Sequence, residues 1–383
     1  MRILLIGPYP PDRQYSIQAF TAALARGLGE RGWQVSGVEP TPSPSRSPIA
    51  RLFGPRVSTY DKFVRFPRRL AKMARSYDLV HVCEHGYALY TSALAGVPHV
   101  VTAHDLIVAK AAVGMTPDWP LSPRSVIYQR KIVESLRRCP HVVAVSEATR
   151  DDVVRLAGRS PDTVAVIPNG LYRPMRRLSE TEREAARRRL GFETGTPIVL
   201  HVGGNQPNKN RLGVVEIFGH LAARVQPKPL LVLAGPNPDE PLRRAVDSSA
   251  AKSSICVIAS PSDDDVVALY NLAHALLFPS LDEGFGLPII EAQACGCPVV
   301  TSDRRPMRDV AGDSALLVDP LDAEGAAARV AQHWDELPQR IEGGLQNAAR
   351  YSTETMVDRY AQLFSEIVSA AAPKETSPAG RRP

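Results

Sequence analysis

Between Glu283 and Glu291 the chain reads Glu-Gly-Phe-Gly-Leu-Pro-Ile-Ile-Glu, two carboxylates bracketing a glycine-punctuated turn. The apolar run before it, 275–278, has the length of a strand, and Pro288 suits the first turn of a helix. A strand, a glycine-rich turn and a helix N-terminus together make an anion site, because the first amides of the helix have no intrahelical acceptor. The turn also falls at the C-terminal edge of a sheet, where doubly wound folds bind ligands. A diphosphate fits it. Glu283 then stands on the loop beside the phosphate and Glu291 a helical turn inside, so the two carboxylates serve different atoms.

His104 closes the run Val-Val-Thr-Ala-His-Asp and so sits at the C-terminal edge of a strand, where its imidazole can bond a ligand hydroxyl or cap a loop. Asp105 reads as the cap of the next helix. In Val-His-Val-Cys-Glu-His-Gly (80–86), His81, Cys83 and His85 share one face of a strand, which admits a metal ion. A pocket wall suits a strand end better, with His85 and Tyr87 as lining residues, and no metal site is expected. The five cysteines (83, 139, 256, 295 and 297) are odd in number and scattered, and read as reduced, mostly buried thiols. P-loop, dinucleotide, zinc-protease and nucleic-acid signatures are missing, so no nucleic-acid partner is expected.

These groups need elements to hold them. Short apolar runs at 3–6, 80–82, 99–102, 142–145 and 164–167 read as buried parallel strands, with helical spacing at 19–31 and 123–138. The pattern repeats with runs at 198–202, 229–233, 255–258, 275–278, 298–301 and 315–318, and helices at 211–224, 266–273 and 287–295. At 383 residues two domains are the default, and the alternation makes each of them doubly wound. The junction is expected near 168–189, where Pro168-Asn169-Gly170 ends a strand and a charged stretch follows. Residues 40–48, rich in Pro and Ser, read as a stiff surface loop, and 371–383 as a disordered tail.

The net charge of +6 suits anionic partners. Much of it clusters in Arg51, Arg56, Lys62, Arg65, Arg68, Arg69, Lys72 and Arg75, interleaved with Phe53, Phe63, Phe66, Leu70 and Met73. Two readings stay open: a basic amphipathic helix lying on an anionic membrane surface, or a solvated helix covering a domain edge. The first apolar run is far too short for a membrane span and has no cleavage region, so a cytoplasmic location is expected.

The glutamate pair, followed by Ala292-x-Ala294-Cys295-Gly296-x-Pro298-Val299-Val300, resembles the family 4 glycosyltransferases with the GT-B fold. The likeness continues in Val145-Ser146-Glu147, Ile167-Pro168-Asn169-Gly170, Val202-Gly203-Gly204 through Lys209-Asn210, Tyr270, Phe278-Pro279-Ser280, and Ala311-Gly312-Asp313 through Val318-Asp319-Pro320. It therefore spans nearly the whole chain, in the family's order.

The resemblance implies two Rossmann-like domains facing each other across a cleft. The first, 1–172, is on the acceptor side, and the second, 173–352, binds a nucleotide sugar; a helix at about 353–370 packs back on the first. Lys209 matches the lysine that contacts the donor diphosphate, Glu291 the carboxylate that takes the ribose hydroxyls, and Glu283 the group beside the donor sugar. Gly203, Gly204, Asn205, Gly284, Phe285, Gly286 and Leu287 complete the donor loops, His104 faces the sugar, and Gly7, Ser16, Ile17, His85 and Tyr87 lie on the acceptor side. Two departures stand out. The arginine that often precedes the lysine is absent from 204–208, so either the helix N-terminus and Lys209 carry the diphosphate alone or Arg211 or another arginine compensates, and no Gly-Gly pair stands near Ser16.

The implied activity is retaining, metal-independent hexosyl transfer from a nucleotide diphosphate sugar, UDP first and GDP second, with no cofactor. The acceptor is lipid-linked, in envelope or exopolysaccharide assembly at the cytoplasmic membrane face, or a soluble small molecule. A sugar-nucleotide 2-epimerase and a non-catalytic GT-B binding protein are the other readings.

Overall fold

The apolar runs become the strands of two parallel six-stranded sheets in a computed structural model that describes residues 1–44, 49, 57–116 and 119–371. Residues 45–48, Arg51, Phe53, Arg56 and the tail from 372 onward, all subjects of sequence expectations, lie outside the described residues. The first sheet contains β1 (Arg2–Ile6), β2 (Gln34–Val38), β3 (Leu79–Val82), β4 (His99–Ala103), β5 (His141–Ala144) and β6 (Val164–Val166), in the order β2-β1-β3-β4-β5-β6. The second contains β7 (Ile198–Val202), β8 (Leu230–Gly235), β9 (Ile255–Ala259), β10 (Ala275–Phe278), β11 (Val299–Ser302) and β12 (Leu316–Val318), in the order β12-β11-β10-β7-β8-β9. Both are doubly wound, with the order reversing beside the first strand of each half, which is where such folds open a crevice.

Strand β2 does not emerge from the sequence pattern. Its residues Gln-Val-Ser-Gly-Val form an edge strand in which only Val38 is buried, so it carries no apolar run. The site depends on ten helices: α1 (Tyr15–Glu30), α2 (Phe66–Met73), α3 (Ile107–Ala112), α4 (Pro123–Arg138), α5 (Glu147–Ala157), α6 (Glu180–Arg189), α7 (Arg211–Ala222), α8 (Asp263–Leu272), α9 (Leu287–Ala294) and α10 (Thr353–Ala371). Ser146 and Ser262 cap α5 and α8 by accepting from the amides of Thr149 and Asp265, which satisfies donors the helix leaves open.

Each sheet is covered on both faces. Under the first, Phe20, Leu24 and Leu28 of α1 pack with Met356, Val357, Tyr360 and Phe364 of α10, so the final helix returns to the first sheet. The two chain crossings are joined where Leu171 N donates to Tyr351 O at 3.1 Å. His81, weighed above as a metal ligand, is fully buried in this layer: its Nε2 lies 2.8 Å from Thr102 Oγ1, which in turn lies 3.0 Å from Tyr360 Oη. That polar chain ties α10 to the sheet and accounts for the histidine.

The basic stretch differs from its membrane reading in one physical respect. Phe66 and Leu70 of α2 are buried, and Phe63 and Met73 pack against the same core, so the apolar face points into the protein. Lys62 pairs with Asp12 at 3.1 Å and Arg65 with Asp61 at 3.4 Å. Arg68, Arg69, Lys72 and Arg75 remain on the exposed side. Among the described residues no helix is long and apolar enough to cross a membrane.

Candidate active site

A cleft of about 1070 Å³ runs between the two sheets at their C-terminal edges. Ser16, Ile17, His85, Tyr87 and His104 line it on one side, and Gly203, Gly204, Lys209, Glu283, Gly284, Phe285, Gly286, Leu287 and Glu291 on the other. Gly7 and Asn205, also expected there, are not lining residues. Gly7 is buried beneath the loop with its amide committed to Val38 O at 2.9 Å. Asn205 instead donates to Asn237 O at 2.8 Å and accepts from Arg211.

One ion pair in the cleft joins two residues that the sequence places in separate loops. Lys209 Nζ lies 2.7 and 2.9 Å from the two carboxylate oxygens of Glu283, and both side chains are largely shielded, at 21% and 9% exposure. Asn208 sets that register: its carbonyl accepts from Leu281 N and its side-chain amide donates to Asp282 O, each at 2.8 Å. The lysine turn is thereby stitched to the glutamate turn, and a charge-assisted bidentate contact follows. The Lys209 ammonium also stands 5.6 Å from the Phe278 ring centroid.

Gly286 caps α9 with φ of 101°, a backbone conformation that side chains disfavour, and Leu287 opens the helix. The N-terminus of α9 therefore meets the cleft beside Lys209, and both carry positive character. Deeper in, Tyr270 Oη donates to Glu291 Oε2 at 3.1 Å. Burial raises the Glu291 pKa above the ordinary carboxylate value, with Arg173 and the Tyr270 hydrogen bond pulling it back.

The absent arginine is not replaced by Arg211. That side chain is buried, with Nη1 turned to Asn205 and to Pro236 O at 3.2 Å. Arg173 does line the cleft, with its Nε 3.3 Å from Asp263, close enough to Glu291 to stabilise the carboxylate's charge.

On the opposite wall His104 Nε2 lies 3.0 Å from Cys83 O. A carbonyl only accepts, so Nε2 carries the proton and Nδ1 is left as the acceptor nitrogen. Burial lowers the His104 pKa, which favours this neutral form. Asp105 Oδ1 accepts from Ile107 N at 3.2 Å at the start of α3, the capping role read from its position. Tyr87 lines the cleft, yet its hydroxyl is engaged internally: it accepts from Tyr9 N at 3.0 Å and donates to Asp12 at 2.8 Å. His85 Nδ1 lies 2.6 Å from Glu84 Oε1 in a buried pair. Glu84 thus joins the site from a segment in which only the histidines and the cysteine had drawn notice.

The two walls touch at Gly284. Gly284 O accepts from Ser146 Oγ at 2.6 Å and from Thr149 Oγ1 at 2.9 Å, and a Cβ built on Gly284 would stand 1.6 Å from His104 O. Ser146 belongs to the Val-Ser-Glu segment of the family likeness, which gives no sign of this bond.

Residues 17–172 match the family model described as Glycosyltransferase Family 4, and residues 182–340 the one described as Glycosyl transferases group 1, so the two matches cover both sheets. The chain belongs to glycosyltransferase family 4. Among its relatives, the O-antigen chain mannosyltransferase B of Escherichia coli is 26% identical over 78% of this chain and 81% of its own length. The D-inositol 3-phosphate glycosyltransferase of Mycolicibacterium smegmatis is 28% identical over 75% of this chain and 66% of its own, so this chain spans just under two thirds of that relative. Among solved structures, Anabaena HepE in complex with UDP-glucose superposes with a TM-score of 0.74 at 16% identity, covering 96% of this chain and all of that one, a likeness of fold.

Proposed function

We propose that this family 4 member is a retaining, metal-independent hexosyltransferase that takes a hexosyl group from a nucleoside diphosphate sugar, a UDP sugar first and a GDP sugar second, to an acceptor hydroxyl. The observation that carries the reading is the Lys209–Glu283 pair beside the N-terminus of α9, opposite neutral His104. A donor diphosphate would compete for the Lys209 ammonium and the α9 amides, and that competition frees the Glu283 carboxylate to accept sugar hydroxyls. As the C1–O bond to phosphate breaks, the departing diphosphate takes the electron pair, and Lys209 with the helix N-terminus stabilises the charge that a metal ion would otherwise meet. The acceptor oxygen enters on the face the diphosphate leaves, and its proton passes to a phosphate oxygen. His104 Nδ1 accepts from a sugar hydroxyl, and Glu291 from the ribose.

In this reading residues 1–172 form the acceptor domain and 173–352 the donor domain, with α10 returning to the first. Ser16, Ile17, His85 and the ring of Tyr87 form the acceptor wall. The acceptor is a lipid-linked glycan precursor met at the cytoplasmic membrane face, where Arg68, Arg69, Lys72 and Arg75 supply attraction by charge alone. An O-antigen mannosyltransferase among the relatives favours this acceptor class, and the D-inositol 3-phosphate relatives favour a soluble one as the second reading. The test is a nucleotide-sugar screen by thermal shift, followed by product analysis with and without acceptor. A donor at about 100 times its Kd stabilises by about 2.7 kcal/mol. Epimerised donor in the absence of acceptor, or no donor response at all, refutes the proposal.

A further inference from the structure

We propose that Lys110 is a positioning residue for transfer: from the first-sheet side it holds the Glu283 loop closed against His104 by bridging Asp152 and Asp282. The inference rests on the donor-site reading of Glu283. Lys110 Nζ lies 2.8 Å from Asp152 Oδ2 and 2.5 Å from Asp282 Oδ2, and its side chain is 12% exposed. Lys110 is on α3 and Asp152 on α5, both packed with the first sheet, whereas Asp282 lies in the loop between β10 and α9 of the second. The bridge therefore crosses from one wall to the other. Lys110 itself does not line the cleft, so it acts through the loop and not on a substrate.

Asp282 directly precedes Glu283, and Gly284 directly follows it. Gly284 O is held by Ser146 and Thr149, so both neighbours of Glu283 are fastened to the first-sheet side. Opening the cleft by a rigid movement of the walls must break these contacts together and carry Glu283 away from His104. Charge makes Lys110 the decisive member. Burial works against its ammonium, yet the hydrogen bonds to Asp152 and Asp282 hold its pKa above the ordinary lysine value. Without it, two shielded carboxylates on opposing walls would face each other and repel, and the closed arrangement would lose its counter-charge.

The test compares Lys110→Met, Lys110→Arg and Asp282→Asn with the wild type in the full chain. Three readouts are taken: steady-state transfer, UDP affinity by calorimetry, and radius of gyration by small-angle scattering. We expect Lys110→Met to lower kcat at least about tenfold while the Kd for UDP changes less than about threefold, since the nucleotide contacts lie on the second-sheet side. Lys110→Arg restores most of the rate, Asp282→Asn lowers it in the same direction, and the scattering radius of Lys110→Met increases. A kcat within about twofold of wild type, or UDP affinity falling in step with kcat, overturns the assignment. Should Lys110→Met fail to fold, Asp282→Asn decides on the same criteria. Should the wild type bind neither UDP nor GDP, the donor reading fails instead, and an unchanged scattering radius still overturns the bridge.

Discussion

Replacing Gly284 by alanine adds one methyl group at the point where the walls of the cleft meet. Gly284 has no left-handed φ, so the backbone would accept a side chain and the objection is space alone. The added Cβ would stand 1.6 Å from His104 O, 2.6 Å from its carbonyl carbon and 2.9 Å from Asp105 Cβ. Two of these neighbours are backbone, which cannot rotate away. Since such contacts essentially never fall below 3.0 Å, the loop or the whole wall must retreat by about 1.4 Å in a close-packed setting. That retreat stretches the bonds from Ser146 and Thr149 to Gly284 O, each worth about 1 kcal/mol net, and displaces the adjoining Glu283. A misplacement of about 1 Å at a reacting centre costs about a hundredfold in rate. Gly284→Ala is therefore expected to lower kcat by about a hundredfold while UDP affinity, which the proposed reading assigns to Lys209 and the N-terminus of α9, stays within about threefold. Steady-state kinetics with a UDP or GDP sugar and calorimetry with the free nucleotide measure the two quantities. A variant with kcat within about threefold of wild type would mean that the walls do not meet at Gly284 in the reacting state, and the placement of Glu283 by that contact would be wrong.

Three further outcomes follow from the geometry. Lys209→Met removes the cation proposed to meet the leaving diphosphate and should cost about 10² to 10³ in kcat, a loss that single-turnover rates can separate from binding; an effect confined to KM would reassign the lysine to uniform binding. The Glu84–His85 pair makes stability fall in alkali. Burial alone would drive the His85 pKa down, but Glu84 raises it from 6.5 to about 9, so its contribution is complete below 6.5 and is lost as pH rises through about 9. Thermal melts of wild type should decline between those values, and Glu84→Gln should flatten the decline; parallel curves would remove the pair as the cause. Replacing Arg68, Arg69, Lys72 and Arg75 by glutamine should weaken binding to anionic vesicles by about 1 kcal/mol per charge, with co-sedimentation as the assay and equal binding as the refuting result.

The strands and helices that build both halves were readable because parallel strands covered on two faces leave continuous apolar runs such as Leu4-Leu5-Ile6 and Val142-Val143-Ala144. Where covering fails, so does the reading: β2 lies at an edge with a glycine inside it, and its alternation is too weak to mark a strand. The amphipathic pattern of the 66–73 segment was legible too, but periodicity says which side of a helix is apolar and not what covers it. Phe66 and Leu70 face the protein core, so the apolar side of this helix is already covered.

The site residues drawn from motifs are mostly brought together in the cleft, whereas several of the contacts that hold them there come from neighbours to which the sequence assigned no role. Asn208 is an example, since its two bonds to the 281–282 turn depend on β7 and β10 being adjacent in the second sheet although 74 positions separate Asn208 from Asp282. Lys110, Asp152 and Asp282 are a stronger case, because each alone reads as a solvated surface charge and their meeting requires two separately folded sheets to face one another. Local sequence sets which groups a loop presents, and the register between loops is a property of the sheet order and of the closure of the cleft. The residues proposed to bind the donor, concentrated in two loops of one sheet, are therefore legible from the sequence. The contacts that fasten the neighbours of Glu283 are instead spread across both sheets, from Lys110, Ser146 and Thr149 on one side to Asp282 and Gly284 on the other, and no single loop carries them.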